Sequence, residues 1–225
     1  MSRITKEIGV LWREQPWLFA ITCAALLFGV YARFKGLGTW PLTADEYYVA
    51  RSVQNILRTG IPVYECGGYY PRGLLMQYLT AGLQLGGLSP ELAPRLIAAL
   101  SSLAALPAVY ILGKRVHGSR IGLLAVIILA LSVWEVEIAR FGRMYAPFQA
   151  LFAWYLVYFL KYTIDRDHRA LWPMLALSAV LPLVMTIWLG HGIGLYLIAF
   201  YAGSALQGFL MRRRPSTITP VESAA

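Results

Sequence analysis

The chain is poor in the residues that most soluble enzymes and metal proteins depend on. It has two cysteines, Cys23 and Cys66, and three histidines. Cys23 lies inside an apolar run and Cys66 in the segment after it, so no disulfide framework or paired-cysteine metal motif is present. With so few histidines, and two of them on what reads below as the cytoplasmic side, a histidine-based zinc site is not expected. Charge is scarce too, at 14% of residues against 58% hydrophobic ones. That balance lies outside the usual range of soluble domains and points to a membrane protein. There is no phosphate-cradling glycine loop, no nucleophile elbow, no dinucleotide fingerprint and no internal repeat of the transporter kind.

The charge that remains is mostly positive, with a net value of +9. The basic residues come in small groups between apolar runs and not as a stripe interleaved with stacking aromatics, so no nucleic-acid partner is expected. Six runs are apolar enough to cross a bilayer as helices, at roughly 16–33, 92–113, 120–134, 145–161, 170–189 and 192–211. Triplets of basic residues mark one side: Arg3, Lys6 and Arg13; Lys114, Arg115 and Arg120; Lys161, Arg166 and Arg169; Arg212, Arg213 and Arg214. The positive-inside rule then predicts cytoplasmic termini, a short cytoplasmic segment 1–15 leading into an uncleaved signal anchor, and a disordered cytoplasmic tail 212–225. The fold class expected is an all-α polytopic membrane protein. Its six spans occupy 16–211, with two interfacial helices in a first outer loop at 34–91.

That outer loop opens on LTADEYYVARSVQNILRTG, Leu42 to Gly60, where Val49, Val53, Ile56 and Leu57 recur at helical spacing and Gly60 supplies a stop. Thr43 and Glu46 have the spacing of a capping box, and Asp45 suits the positive end of the helix dipole. The same position also holds a carboxylate outward on a fixed frame, which suits catalysis. A second run, Tyr70 to Leu85, reads as another surface helix.

The other polar residues on the outer side fall in WEVEIARFGRMY and at His191. In an extended backbone Glu135 and Glu137 share a face, whereas in a helix Glu137 can pair with Arg140. Arg140 and Arg143 suit phosphate oxygens, or simply snorkel to headgroups. His191, between glycines, reads either as a hydrogen-bonded turn residue or as an acid, base or ligand.

The order of these features resembles a known family. The acidic Asp45-Glu46 pair, the surface helices, and then LAPRLIAALSSLAALPAVYILGKRVHGSRIGLLAVIILALSVWEVEIARFGRMYAPFQALFAWYLVYFLKY resemble the N-terminal module of GT-C glycosyltransferases. The protein-mannosyltransferase and lipid A aminoarabinose transferase group is the nearest in kind. Arg95 through Ala146 is the most specific part, and the likeness extends over about 30–210.

The resemblance implies a sugar moved with inversion from a polyprenyl-phosphate carrier to an acceptor on the extracytoplasmic face, in a bacterial or archaeal cell membrane. Asp45 and Glu46 would be the catalytic acids. Arg72, Glu135, Glu137, Arg140, Arg143, Tyr145 and His191 would meet the substrate or the carrier phosphate. A divalent ion, magnesium or manganese, is compatible with Asp45 and Glu137 but is not required. Partners implied are the lipid bilayer, the polyprenyl-phosphate-linked sugar and a further membrane chain that completes the carrier groove, because relatives continue through more spans. The alternative is a non-catalytic subunit or truncated remnant within a larger complex. One departure stands out: Tyr70-Pro71-Arg72-Gly73-Leu74 occupies the place where relatives carry a His-Pro-Pro-Leu type sequence.

Overall fold

A computed structural model describes residues 16–64 and 66–185. His191 and the run at 192–211 lie outside the described residues. Within them the chain is helical and forms no strand; an isolated antiparallel bridge joins Val63 and Tyr69.

The first apolar run forms α1, Pro16–Phe34. Apart from Leu18, its inward face is small or polar: Thr22, Ala25, Gly29 and Arg33 are buried with it, while Trp17, Ile21, Leu27 and Phe28 are exposed. A helix in water would be arranged the other way, with large apolar groups inward. Small residues inward and large apolar ones outward are what a helix needs when it packs against neighbours inside hydrocarbon. At its end the buried Arg33 guanidinium donates to the carbonyls of Leu129 and Ala130 at 3.2 and 3.0 Å, to that of Gly29 at 3.0 Å and to the Ser102 hydroxyl at 3.0 Å. Leu129 and Ala130 belong to the last turn of another helix, where carbonyls have no partner within the helix. Arg33 is thus a cap supplied from a different element.

That other helix is α4, Leu92–Leu131, and it is two arms rather than one rod. His117 and Gly118 leave helical geometry, and Gly118 has φ 79°, a left-handed value that a side chain would strain. Beyond the break the chain returns along itself, so Leu106 of the first arm packs with Val126 and Ala130 of the second. The sequence reading divides this region into runs at 92–113 and 120–134, and the hairpin bears that division out. By length and composition α1 and α4 are candidate membrane-spanning helices. The second arm stops at Ser132, which turns extended (ψ 122°) and caps a separate short helix, α5, Val133–Arg140.

Helix α6, Tyr145–Thr163, lies on the first arm of α4 through Ala108, Ala153 and Val157, with Trp154 Nε1 donating to the Ala104 carbonyl at 2.9 Å. Helix α7, Leu171–Met185, then adds Val184 to a cluster of Met76, Ala98, Met144 and Ala146. At the far end, Arg115 and Asp165 form a bidentate ion pair that ties the α4 turn to the α6–α7 connection.

The loop between α1 and α4 contributes two amphipathic helices, α2, Ala44–Thr59, and α3, Leu74–Leu85. They close on each other through Val49, Val53, Ile56 and Ala81. Helix α3 starts four residues later than the expected run at Tyr70, because Tyr69 is in the bridge and Gly73 sits in left-handed geometry (φ 69°). A buried polar pair fixes their register: the Ser52 hydroxyl donates to Gln77 Oε1, and Gln77 Nε2 donates to the carbonyls of Tyr70 and Arg72. Both cysteines are free thiols.

Candidate functional site

The start of α2 is built as its sequence dictates and then anchored by something the sequence did not announce. Thr43 is extended and caps the helix; its hydroxyl accepts from the Glu46 amide at 3.3 Å, and its own amide donates to Glu46 Oε2 at 3.0 Å. The reciprocal pair satisfies two amides that a helix start leaves open. Glu46 is not at the surface, however. It is 2% exposed and faces Arg95, itself 5% exposed, in a two-pronged contact: Nε to Oε1 at 2.9 Å and Nη2 to Oε2 at 2.8 Å.

Every polar atom of this pair is used. Glu46 also accepts from the Gly142 amide at 2.7 Å and from the Thr43 hydroxyl at 3.1 Å. Arg95 directs its remaining N–H groups to the carbonyls of Leu37, Trp40 and Pro41 at 3.3, 2.8 and 2.9 Å. The pair therefore joins four segments: the loop after α1, the start of α2, the start of α4 and the turn after α5. Gly142 permits it, since a Cβ there would lie 3.0 Å from both Glu46 Oε1 and the Pro94 side chain. Burial pushes the pKa of the Glu46 carboxyl up, but the Arg95 fork and the Thr43 and Gly142 amides outweigh it and hold the group below the ordinary carboxylate value.

Asp45, one residue earlier, has the opposite surroundings. Its side chain is exposed, and no hydrogen bond engages its carboxylate among the described residues. Its backbone carbonyl accepts from Arg143 Nη1 at 2.8 Å, and the same nitrogen reaches the Tyr70 hydroxyl at 2.9 Å. Arg143 is 3% exposed, lies 6.0 Å from the centre of the Tyr145 ring, and leaves its buried Nε without a partner. No carboxylate pairs with it among the described residues. A buried guanidinium with an open donor and no counter-ion is costly unless an anion from elsewhere completes it.

Three tyrosines line up beside it, Tyr48 against Tyr64 at 6.0 Å between ring centres and Tyr64 against Tyr70 at 5.2 Å. Burial keeps the Tyr64 phenol protonated well above its ordinary value, with the neighbouring Tyr70 adding to the shift and Arg143 opposing it. Arg72 is exposed, and its charge also acts on Tyr64.

The other expected site residues divide between two places. The short helix α5 removes the extended alternative for Glu135 and Glu137, and they face different neighbours. Glu135 Oε2 accepts from Gln149 Nε2 at 2.9 Å, while Glu137 is exposed and lines a cavity of about 620 Å³. Arg140, also on that cavity, directs Nη1 to the carbonyls of Ala32 and Lys35 at 2.6 and 2.9 Å. It acts as a clamp on the end of α1 and does not spend that nitrogen on Glu137. Glu46 and Arg95 form part of the cavity wall, but Asp45 is not in it. Tyr145 is partly exposed and stacks on Phe141 at 6.2 Å.

Among the described residues no three acids, histidines or cysteines gather as a metal would require. Glu46, the acid nearest to Asp45 in the chain, has no lone pair to offer, and Glu137 belongs to the cavity. The described residues alone do not form a site for the divalent ion left open by the sequence. Arg95 and Gly142 are the site residues that sequence reasoning missed. The available signal was Arg95 itself, a cation at the start of an apolar run, on the side where the sequence reading gathers the acids. No protein-family model, curated protein or solved structure matches this chain.

Proposed function

We propose that this chain is an inverting membrane glycosyltransferase that takes a sugar from a polyprenyl-phosphate carrier at the extracytoplasmic surface. One observation supports it above the rest. A free carboxylate, Asp45, stands on a rigid helix start whose backbone is hydrogen-bonded to Arg143, a buried guanidinium with an open donor. Displacing a phosphate-linked sugar requires a base for the incoming hydroxyl and positive charge for the departing phosphate. In this reading the acceptor oxygen attacks the anomeric carbon, its proton passes to Asp45, and the bond to the carrier phosphate breaks as Arg143 takes up the charge. Glu46 and Arg95 hold the frame and touch no substrate. No step is routed through a metal.

The membrane arrangement proposed with it is six spans with both termini cytoplasmic. Two observations support this topology. Large apolar side chains cover the outward face of α1, and the basic groups 114–120 and 161–169 meet at the end of the bundle opposite the Asp45 site. A second reading, a non-catalytic membrane subunit within a larger complex, is favoured by the saturation of Glu46 and Arg95, which leaves the acidic pair with a single free carboxylate. Purified chain that transfers sugar from a defined lipid donor with no partner present would exclude it. The test of the first reading is Asp45→Asn in membranes: transfer is lost while protein level is kept, and transfer at the wild-type rate would refute the assignment.

A further inference from the structure

We propose that the cavity behind the Glu46–Arg95 pair holds the headgroup of a phospholipid that carries a primary ammonium beside its phosphate. The site requires the chain to sit in a bilayer but does not depend on the sugar-transfer reading. The cavity, about 620 Å³, lies between Leu37, Trp40 and Leu42, which follow the end of α1, and Val136, Glu137 and Arg140 of α5. That volume is in the range of small-molecule sites and takes a headgroup with its glycerol. Its place at the end of an apolar helix of spanning length is the level at which headgroups lie. Trp40 is 67% exposed there, and indole is suited to that boundary, apolar in the ring and polar at its N–H.

The charge pattern selects the ligand. Four charged residues border the cavity, but Glu46 and Arg95 neutralise each other and have no donor or acceptor left. The charges still open are one of each sign, Glu137 and Arg140, three residues apart on α5 and hence neighbours on its surface. They have not turned to each other: the Arg140 guanidinium is held by the Ala32 and Lys35 carbonyls through Nη1, which leaves its other edge for an anion. A phosphate alone would answer Arg140 but meet repulsion from Glu137. An uncharged sugar could hydrogen-bond to both but would neutralise neither charge. A phosphate joined by a short linker to an ammonium answers both, while the apolar wall from Leu37 to Leu42 receives the glycerol end.

The test uses the purified full chain in detergent, mixed with phosphatidylethanolamine or phosphatidylglycerol of matched acyl chains, with retained lipid counted by native mass spectrometry. The wild type should retain the ethanolamine lipid roughly five- to tenfold over the glycerol lipid, the scale of one net hydrogen bond. Glu137→Gln, a change at an exposed position, should bring the two lipids to parity with the melting temperature unchanged. Arg140→Gln should lose both lipids, but because it also releases the clamp on α1, Glu137→Gln decides the matter. Equal retention by the wild type, preference for phosphatidylglycerol, or a preference that survives Glu137→Gln would each overturn the proposal.

Discussion

Arg95 and Arg143 reach the two sides of the same helix start, both almost wholly buried, yet they are completed differently. Arg95 has a carboxylate across from it and a backbone carbonyl for each N–H that Glu46 does not take. Arg143 has a carbonyl, a phenol and an aromatic face, and its Nε is left open. The carboxylates divide in the same way, Glu46 saturated and Asp45 free. A buried ion whose partners are all present is held by the fold. One whose partners are incomplete costs stability and persists where something outside the fold completes it. Under the proposed function, adjacent residues of one acidic pair carry separate tasks, anchoring for Glu46 and chemistry for Asp45.

The comparison breaks most severely at Arg95. Arg95→Leu leaves the Glu46 carboxylate buried with no cation, a loss on the order of 3–5 kcal/mol, and a thermal melt of the purified chain should fall accordingly or the chain should fail to accumulate. Gly142→Ala is next, because the added Cβ meets both Glu46 Oε1 and Pro94 at 3.0 Å; about 1–3 kcal/mol should be lost by overpacking, read by the same melt. Acid supplies a third break. Since the folded Glu46 group titrates below its unfolded value, its stabilisation is present in full above the ordinary carboxylate range and is lost as pH falls through the lowered folded value. A melt series against pH should therefore show the advantage of wild type over Glu46→Gln shrinking in that acidic window and flat above it. Arg143→Met should behave unlike Arg95→Leu: stability should stay within about 1 kcal/mol of wild type, because an incompletely paired charge is removed. Sugar transfer should fall by roughly two to three orders of magnitude, as when a charge-stabilising donor is lost. If Arg143→Met melts as early as Arg95→Leu, the contrast between the two arginines is void.

What could be read in the chain beforehand was local. The capping box at Thr43 and Glu46, the stop at Gly60 and the break within Lys114–Arg120 depend on residues a few positions apart, and each is where the spacing put it. The α2 and α3 helices were legible for the same reason, apart from the late start of α3 that the Val63–Tyr69 bridge imposes. The anchoring contacts of Glu46 were not legible because its partners, Arg95 and Gly142, lie 49 and 96 residues along the chain. Periodicity gives the face on which a side chain lies, and nothing in it names the group on the other side. Arg140 illustrates the same limit: its character suited phosphate, but its nearest oxygens are the backbone carbonyls at the end of α1, more than a hundred residues earlier. The division of the polar residues into an Asp45–Arg143 site and a separate cavity is a property of the packed helices alone.

The smallest structural effect and the largest functional one should coincide at Asp45. Asp45→Asn removes an exposed charge from the helix start, worth under about 1 kcal/mol through the dipole. The decisive measurement is sugar transfer from a polyprenyl-phosphate donor by membranes containing Asp45→Asn, alongside the melting curve of the same protein. The division of labour predicts transfer reduced to background with a melt close to wild type. Transfer at the wild-type rate from that well-folded variant would contradict it.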